Sequence, residues 1–275
     1  MKDEVHIFDS CASGLWELTW HARTITFIGA GGKTSTLSRL ATELASLGET
    51  VVATTTTKVF PLPFPGVWES PLAAPPAGLG NPCFWYAGVE AGSGKWVGPA
   101  RSVVEKAIAG SVTLYRRREE LTGDDPFPTG NSSGPIWLIE GDGAKGRKLK
   151  CWAEHEPQIP ANTQCAVLLM DGTLWGQAPD QADIHRVERC PELCQRPFDV
   201  AAFGSYLEGS PVYDPAYGHL AWVVLLNLFG TAAGRKDEIL TQLRSISLPR
   251  TGEPSHLRLA AGDVRCGRIR WLDLW

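Results

Sequence analysis

Nothing in this chain reads as a membrane span, because no apolar run approaches the length needed to cross a bilayer. The opening residues, M-K-D-E-V-H-I-F-D, lack the apolar stretch of a secretory leader, so a cytoplasmic protein is the expectation. An excess of positive charge is also missing. The chain has 26 Lys+Arg against 30 Asp+Glu, a net charge of -4, which argues against a nucleic-acid binder driven by bulk charge. The run Arg116-Arg117-Arg118 reads as a solvated helix face. Paired cysteine motifs are absent too. The seven cysteines are scattered, and the closest two, Cys190 and Cys194, have no second pair nearby, so reduced thiols are expected and a zinc knuckle is not. There is no serine in a G-x-S-x-G elbow, no H-E-x-x-H and no cysteine in a catalytic context. Hydrolysis through a covalent nucleophile therefore has no sequence support.

What the chain does have is enough apolar sequence for one substantial core: 275 residues, 43% of them apolar and 20% charged. The 29 glycines and 20 prolines promise many loops, and the 11 tryptophans, spread through apolar runs, read as packing residues. Strands are expected at 23–28, 50–54, 83–88, 136–140, 166–170, 222–228 and 268–274. Helices are expected at 33–47, 102–109, 199–207 and 236–246. In the first of these, Leu37, Leu40, Ala41, Leu44, Ala45 and Leu47 recur at helical spacing, with Gly48 as the stop. Residues 5–8 form a short apolar piece, 15–20 a brief helix or edge strand, and 111–116 a strand or a continuation of the helix before it. The Pro/Gly-rich stretch 60–82 reads as an irregular excursion or short lid, and 123–135 as polar turns. The alternation predicts an α/β protein: a mostly parallel sheet flanked by helices, with a three-layer, P-loop NTPase-like architecture. One domain over 1–275 is expected, with 60–135 as an insertion or lid.

Ligands of open parallel sheets bind beyond the carboxyl ends of the strands. The polar motifs of this chain fall there. The first is Gly29-Ala30-Gly31-Gly32-Lys33-Thr34-Ser35, G-x-x-G-K-T between a strand and a helix. The full phosphate-loop pattern would have a glycine at position 27, where Phe27 stands. The short form can still cradle phosphate with backbone N–H groups, pair Lys33 with β/γ oxygens and offer the Thr34 hydroxyl to Mg²⁺, with Ser35 as the next hydroxyl. A bare strand–helix turn with an incidental lysine is the alternative. A dinucleotide fingerprint is disfavoured, because its third glycine would fall on Thr34 and no acidic residue ends the second strand.

The second motif is Glu140-Gly141-Asp142-Gly143-Ala144-Lys145-Gly146-Arg147-Lys148, again after an apolar strand. Glu140 and Asp142 are candidates for holding Mg²⁺ or orienting a nucleophile, and the residues leave the assignment between them open. Lys145, Arg147 and Lys148 are candidates for neutralising phosphate charge, with Lys145 grouped with Lys33 as catalytic. A solvated charged turn is the alternative. Thr54-Thr55-Thr56-Thr57-Lys58 places four hydroxyls and an ammonium at another strand end, with Thr56 and Lys58 as ligand candidates and plain β-branched strand as the competing reading. Glu154 and His155 are substrate candidates, whereas Asp183, His185 and Arg186 read as a helix surface. Asn227 ends a strand where a guanine-reading loop would continue N-K-x-D; here Leu228-Phe229-Gly230 follow, which leaves ATP or GTP open.

Four stretches together resemble the YqeC family: I-T-F-I-G-A-G-G-K-T-S-T-L from Ile25, V-V-A-T-T-T-T-K from Val51, E-G-D-G-A-K-G-R-K-L-K from Glu140 and A-E-H-E-P-Q-I-P from Ala153. The phosphate loop is also similar to the short G-T-x-G-K-T form of the Mur ligases, through Gly29, Gly32, Lys33 and Thr34. The family resemblance implies an accessory or selenium-cofactor role in maturing selenium-dependent molybdenum hydroxylases. The partners implied are a nucleotide, a small molecule or cofactor, and a molybdenum hydroxylase or another maturation protein. With the residues above, the expectation is a Mg²⁺- and ATP- or GTP-dependent NTPase or phosphoryl-activating enzyme. The alternative is a non-catalytic chaperone or scaffold that nucleotide stabilises.

Overall fold

A computed structural model describes residues 14–112, 134–230, 234–249 and 252–274. The apolar piece at 5–8, the arginines 116–118 and most of the polar stretch 123–135 lie outside these residues.

Nine strands form the central sheet: β1 Thr24–Gly29, β2 Val51–Thr55, β3 Gly66–Glu69, β4 Cys83–Tyr86, β5 Ile136–Glu140, β6 Cys165–Asp171, β7 Ala221–Asn227, β8 His256–Asp263 and β9 Arg268–Asp273. Their spatial order is β9-β8-β7-β6-β1-β5-β2-β4-β3. Every neighbouring pair is parallel except β8–β9. The helices are α1 Leu15–Leu18, α2 Lys33–Ser46, α3 Arg101–Val112, α4 Val200–Glu208 and α5 Gly234–Leu243. Lys58–Val59, Gly88–Val89 and Trp96–Val97 make a small antiparallel sheet, and Leu149–Lys150 pairs in parallel with Ile184–His185.

Strand alternation sorts the core onto two faces. Ile25 and Phe27 of β1, Ala53 of β2 and Leu138 of β5 meet Leu37, Leu40, Ala41 and Leu44 of α2 and Leu15 and Leu18 of α1. On the opposite face, Leu168, Val224 and Leu259 pack against Phe203 and Leu207 of α4 and Ile239 and Leu243 of α5. Further along that face, Val52, Trp85, Trp137 and Ile139 meet Val104 and Ile108 of α3. The central strands are covered on both sides, which is why β1, β2, β5 and β7 are buried throughout and β5 and β7 are apolar up to their last residue. Arg258 of β8 closes the far edge. It pairs with Asp273 of β9 at 2.6 Å and donates to the carbonyls of Glu17 and Leu18 at 2.8 and 2.9 Å, satisfying the end of α1.

The structure departs from the sequence reading in several places, among them the Asp183, His185 and Arg186 set, read as a helix surface, where Ile184–His185 is a strand. Residues 256–263 form a buried strand although H-L-R-L-A-A-G-D carries no β-branched residue; pairing with β7 imposes it. Within the proline-rich stretch, Gly66–Glu69 adds an edge strand beside β4. The expectation of reduced cysteines fails for Cys151 and Cys190, which form a disulfide with Cα atoms 6.4 Å apart. The Leu149–Lys150 and Ile184–His185 pairing, extended by the Cys151 N–H donating to the His185 carbonyl at 2.9 Å, brings the two cysteines together.

Candidate functional site

Register sets the strand ends at one rim. Phe27 and Thr55 both stand opposite Glu140, Gly29 opposite Leu169, and Asp171 opposite Asn227. The loop leaving β1 is held on three sides. Gly29 N–H donates to both Asp142 carboxylate oxygens at 3.1 and 3.0 Å, Ala30 N–H to the Leu169 carbonyl at 2.9 Å, and Asn227 Nδ2 to the Gly31 carbonyl at 3.0 Å. Gly31 has φ +75°, and a Cβ there would lie 2.3 Å from the Asp171 nitrogen, so both its conformation and its closeness to β6 require glycine. Gly32, at φ +114°, stands at the N-cap of α2 with no side-chain cap. The first N–H groups of α2 and its dipole therefore face the rim.

Lys33 is buried at the start of α2, 6% exposed. Its Nζ donates to the Gly29 carbonyl at 2.6 Å and lies 3.3 Å from Asp142 Oδ1 and 3.9 Å from Glu140 Oε1. Thr34 Oγ1 donates to Glu140 Oε2 at 2.8 Å. Burial, reinforced by the Asp142 charge, raises the Glu140 carboxyl pKa against the opposing pull of Lys33 and Thr34. The two carboxylates differ in what they touch. Asp142 is fully buried and also accepts from Trp152 Nε1 at 2.9 Å and pairs with Lys150 at 3.2 Å. Glu140 has fewer partners and shares the rim with Thr34.

Behind Asp142 the chain of charges continues toward Arg186. Lys150, fully buried, reaches the Gly143 carbonyl at 2.6 Å and Glu156 Oε1 at 3.1 Å, and Glu156 Oε2 takes Arg186 Nε at 3.0 Å. Burial would raise the Glu156 carboxyl, but the Arg186 hydrogen bond and Lys150 overcome it and hold the pKa at about 2. His185, beside this chain, is pushed down by burial and by the charges of Lys150, Arg186 and Lys145. Tyr206 donates to the Lys150 carbonyl at 2.8 Å, and its ring leans on Trp152.

The structure thus brings Gly29, Gly31, Gly32, Lys33, Thr34, Glu140 and Asp142 together. It places other candidates elsewhere. Ser35 is exposed on α2, and Ala30 is buried in the loop's base. Lys145 is exposed at φ +50°, Arg147 bonds the Ala182 carbonyl, and Lys148 pairs with Asp183 at 3.0 Å. Thr56 Oγ1 donates to the Gln158 carbonyl at 2.9 Å, and Lys58 pairs with Glu90 at the surface. Glu154 and His155 are exposed, and the His155 carbonyl accepts from Gln158. The sequence reading missed Lys150, Glu156 and Trp152 as site partners and took Arg186 for helix surface. The placement of Lys150 between Leu149 and Cys151, at the end of the basic run from Arg147, was the available signal for it.

Chemically, the loop and Lys33 can receive an anion, and the Thr34 and Glu140 oxygens suit a hard cation. Among the described residues no group of three or more His, Cys, Asp or Glu could hold a metal ion by itself, so such a cation would need oxygens from its ligand or water. No helix among the described residues is long and apolar enough to cross a membrane.

No solved structure matches this chain. Among curated proteins, the uncharacterized protein YqeC of Escherichia coli (strain K12) is 32% identical over 167 residues. That match covers 59% of this chain and 57% of the relative, so the chain aligns with little more than half of that protein's length. The model of the family described as YqeC protein matches residues 25–188, a segment running from β1 through Arg186. The chain belongs to the YqeC family.

Proposed function

We propose that the rim binds a Mg²⁺-nucleoside triphosphate, ATP or GTP, with its phosphates in the 29–35 loop. One observation carries this reading. A glycine loop opening an uncapped helix holds a buried Lys33 beside a Thr34–Glu140 pair, and Glu140 ends the strand next to the loop's own strand. A P-loop NTPase-like arrangement uses this adjacency to set a metal-side carboxylate against the phosphates. Lys33 would exchange the Gly29 carbonyl and Asp142 for phosphate oxygens. Thr34 and Glu140 would hold Mg²⁺, which supplies charge neutralisation and orientation of the phosphates. Asp142 keeps the loop in place through the Gly29 N–H. The work done with the nucleotide is hydrolysis or phosphoryl activation of a small substrate, in the maturation of a selenium-dependent molybdenum hydroxylase or its cofactor, a setting whose support is the resemblance to the YqeC family alone.

A second reading has a specific observation behind it. Asp142 is fully occupied by donors, so it is not free to orient a nucleophile. A nucleotide-stabilised scaffold without turnover is consistent with that. Calorimetric titration with Mg·ATP and Mg·GTP, together with phosphate release, tests both. Saturable binding that is lost in Lys33→Ala supports the site, and unchanged binding in that variant removes it. Binding without phosphate release or transfer, with a candidate hydroxylase present, selects the scaffold.

A further inference from the structure

We propose that Lys150 is a positioning residue whose task is to release Lys33: it acts as the resident counter-cation of Asp142, so that Lys33 can leave for an incoming anion. The proposal rests on the nucleotide reading for the identity of that anion, but the counter-ion role stands on the resting protein alone.

The network holds six charges: Lys33, Lys150, Glu140 and Asp142, all buried, and the partly buried Glu156 and Arg186. In the resting arrangement Asp142 is shared by Lys33 at 3.3 Å and Lys150 at 3.2 Å, one ammonium on each carboxylate oxygen. A lysine that must reach a phosphate has to give up this contact. Leaving a fully buried carboxylate with no cation is strongly unfavourable, so a Lys33 that was the sole partner of Asp142 would be locked in place. Lys150 removes that lock. Its ammonium donates to Gly143 O at 2.6 Å and Glu156 Oε1 at 3.1 Å and forms an ion pair with Asp142 Oδ2 at 3.2 Å, and with no exposure to solvent it has nowhere else to go. When Lys33 departs, Asp142–Lys150 and Glu156–Arg186 remain as two neutral pairs, and Glu140 is left to the rim. Trp152 Nε1 and Gly29 N–H continue to hold Asp142 in place, so the loop keeps its shape while Lys33 changes partners.

A double-mutant cycle in the ligand-free protein tests the counter-ion role directly. Lys33→Met is made in the wild type and in Lys150→Met, and urea midpoints are compared. If Lys150 carries the charge of Asp142, Lys33→Met lowers the midpoint by at least roughly twice as much in the Lys150→Met background. Equal shifts in the two backgrounds overturn the proposal. Mg·ATP titration then reads the consequence. Lys150→Met weakens binding roughly tenfold or more, and adding Asp142→Asn, which removes the charge that traps Lys33, recovers most of that loss. A merely structural Lys150 predicts the opposite, a double variant worse than either single one. Should Lys150→Met fail to fold, a folded Asp142→Asn/Lys150→Met protein supports the proposal and an unfolded one overturns it. Wild type that binds no nucleotide, combined with the coupled midpoints, removes the nucleotide reading while the counter-ion role stands.

Discussion

Two neighbouring strand ends look equally promising in sequence and have been built for different purposes. At the ends of β1 and β5, charge is concentrated and buried: Lys33, Glu140, Asp142 and Lys150 are each at most 6% exposed and pair with one another. At the end of β2, four threonines spend their hydroxyls on the protein's own backbone or on each other. Thr54 bonds the Trp85 carbonyl at 2.8 Å, Thr55 the Glu140 carbonyl at 3.0 Å and Thr56 the Gln158 carbonyl at 2.9 Å, while Thr55 and Thr57 share a 3.1 Å contact. The threonines hold β2, β4 and β5 and the 156–159 segment in register. The charged end has side chains that must change partners to do anything. Polarity at a strand end therefore marks a site only where it is not already satisfied by backbone.

The sharpest way to break this contrast is Asp142→Ala. It strips an acceptor from Gly29 N–H and Trp152 Nε1 and an ion partner from Lys33 and Lys150, and should cost about 3–5 kcal/mol in urea unfolding. A loss similar to that of an ordinary surface substitution would mean the network is not energetically central. Next, stability should fall on acidification through Glu156. Its folded pKa of about 2 lies below the usual 4.5, so its contribution is complete above that ordinary value and is lost as pH drops toward 2. The span is on the order of 2–3 kcal/mol, and Glu156→Gln should flatten the curve. Glu140 has the opposite sign. Its raised carboxyl contributes stability that is present at low pH and lost as pH rises through its folded value, so the Gln variant isolates the Glu156 limb. Gly31→Ala should cost about 1–3 kcal/mol and disturb ligand binding, because an alanine at φ +75° would press on the Asp171 nitrogen. At the β2 end, Thr55→Val should cost about 1 kcal/mol, since the Glu140 carbonyl keeps the Thr56 N–H at 3.0 Å. The smallest effect belongs to Lys58→Ala, a surface ion pair with Glu90, whose urea midpoint should not move measurably. A marked loss of nucleotide affinity in Lys58→Ala would join the two strand ends into one site.

The loop and Glu140 were legible because their signal is local: three glycines, Lys33 and Thr34 between a β-branched strand and a helical leucine pattern, and an apolar run ending in a carboxylate. The sheet's parallel character followed from the alternation of strands with helices. The network behind Asp142 was not legible. Glu156 and Arg186 meet across 30 residues, and a two-residue ladder at Leu149–Lys150 aligns them, too short to leave a periodic trace. For the same reason Cys151 and Cys190 gave no motif. Strand β8 was hidden by a sequence of leucines and alanines that fits a helix as well, and only its place between β7 and β9 decides it.

The Cys151–Cys190 bond closes a ring with a separation of 39 residues, and Glu156 and Arg186 both lie on that ring. A protease that nicks the chain once between them would release nothing. The two pieces would migrate together on a non-reducing gel and separate only after a thiol is added. The segment that backs the charged rim is, in covalent terms, a closed loop, and parting the chain there takes one cut together with a reductant.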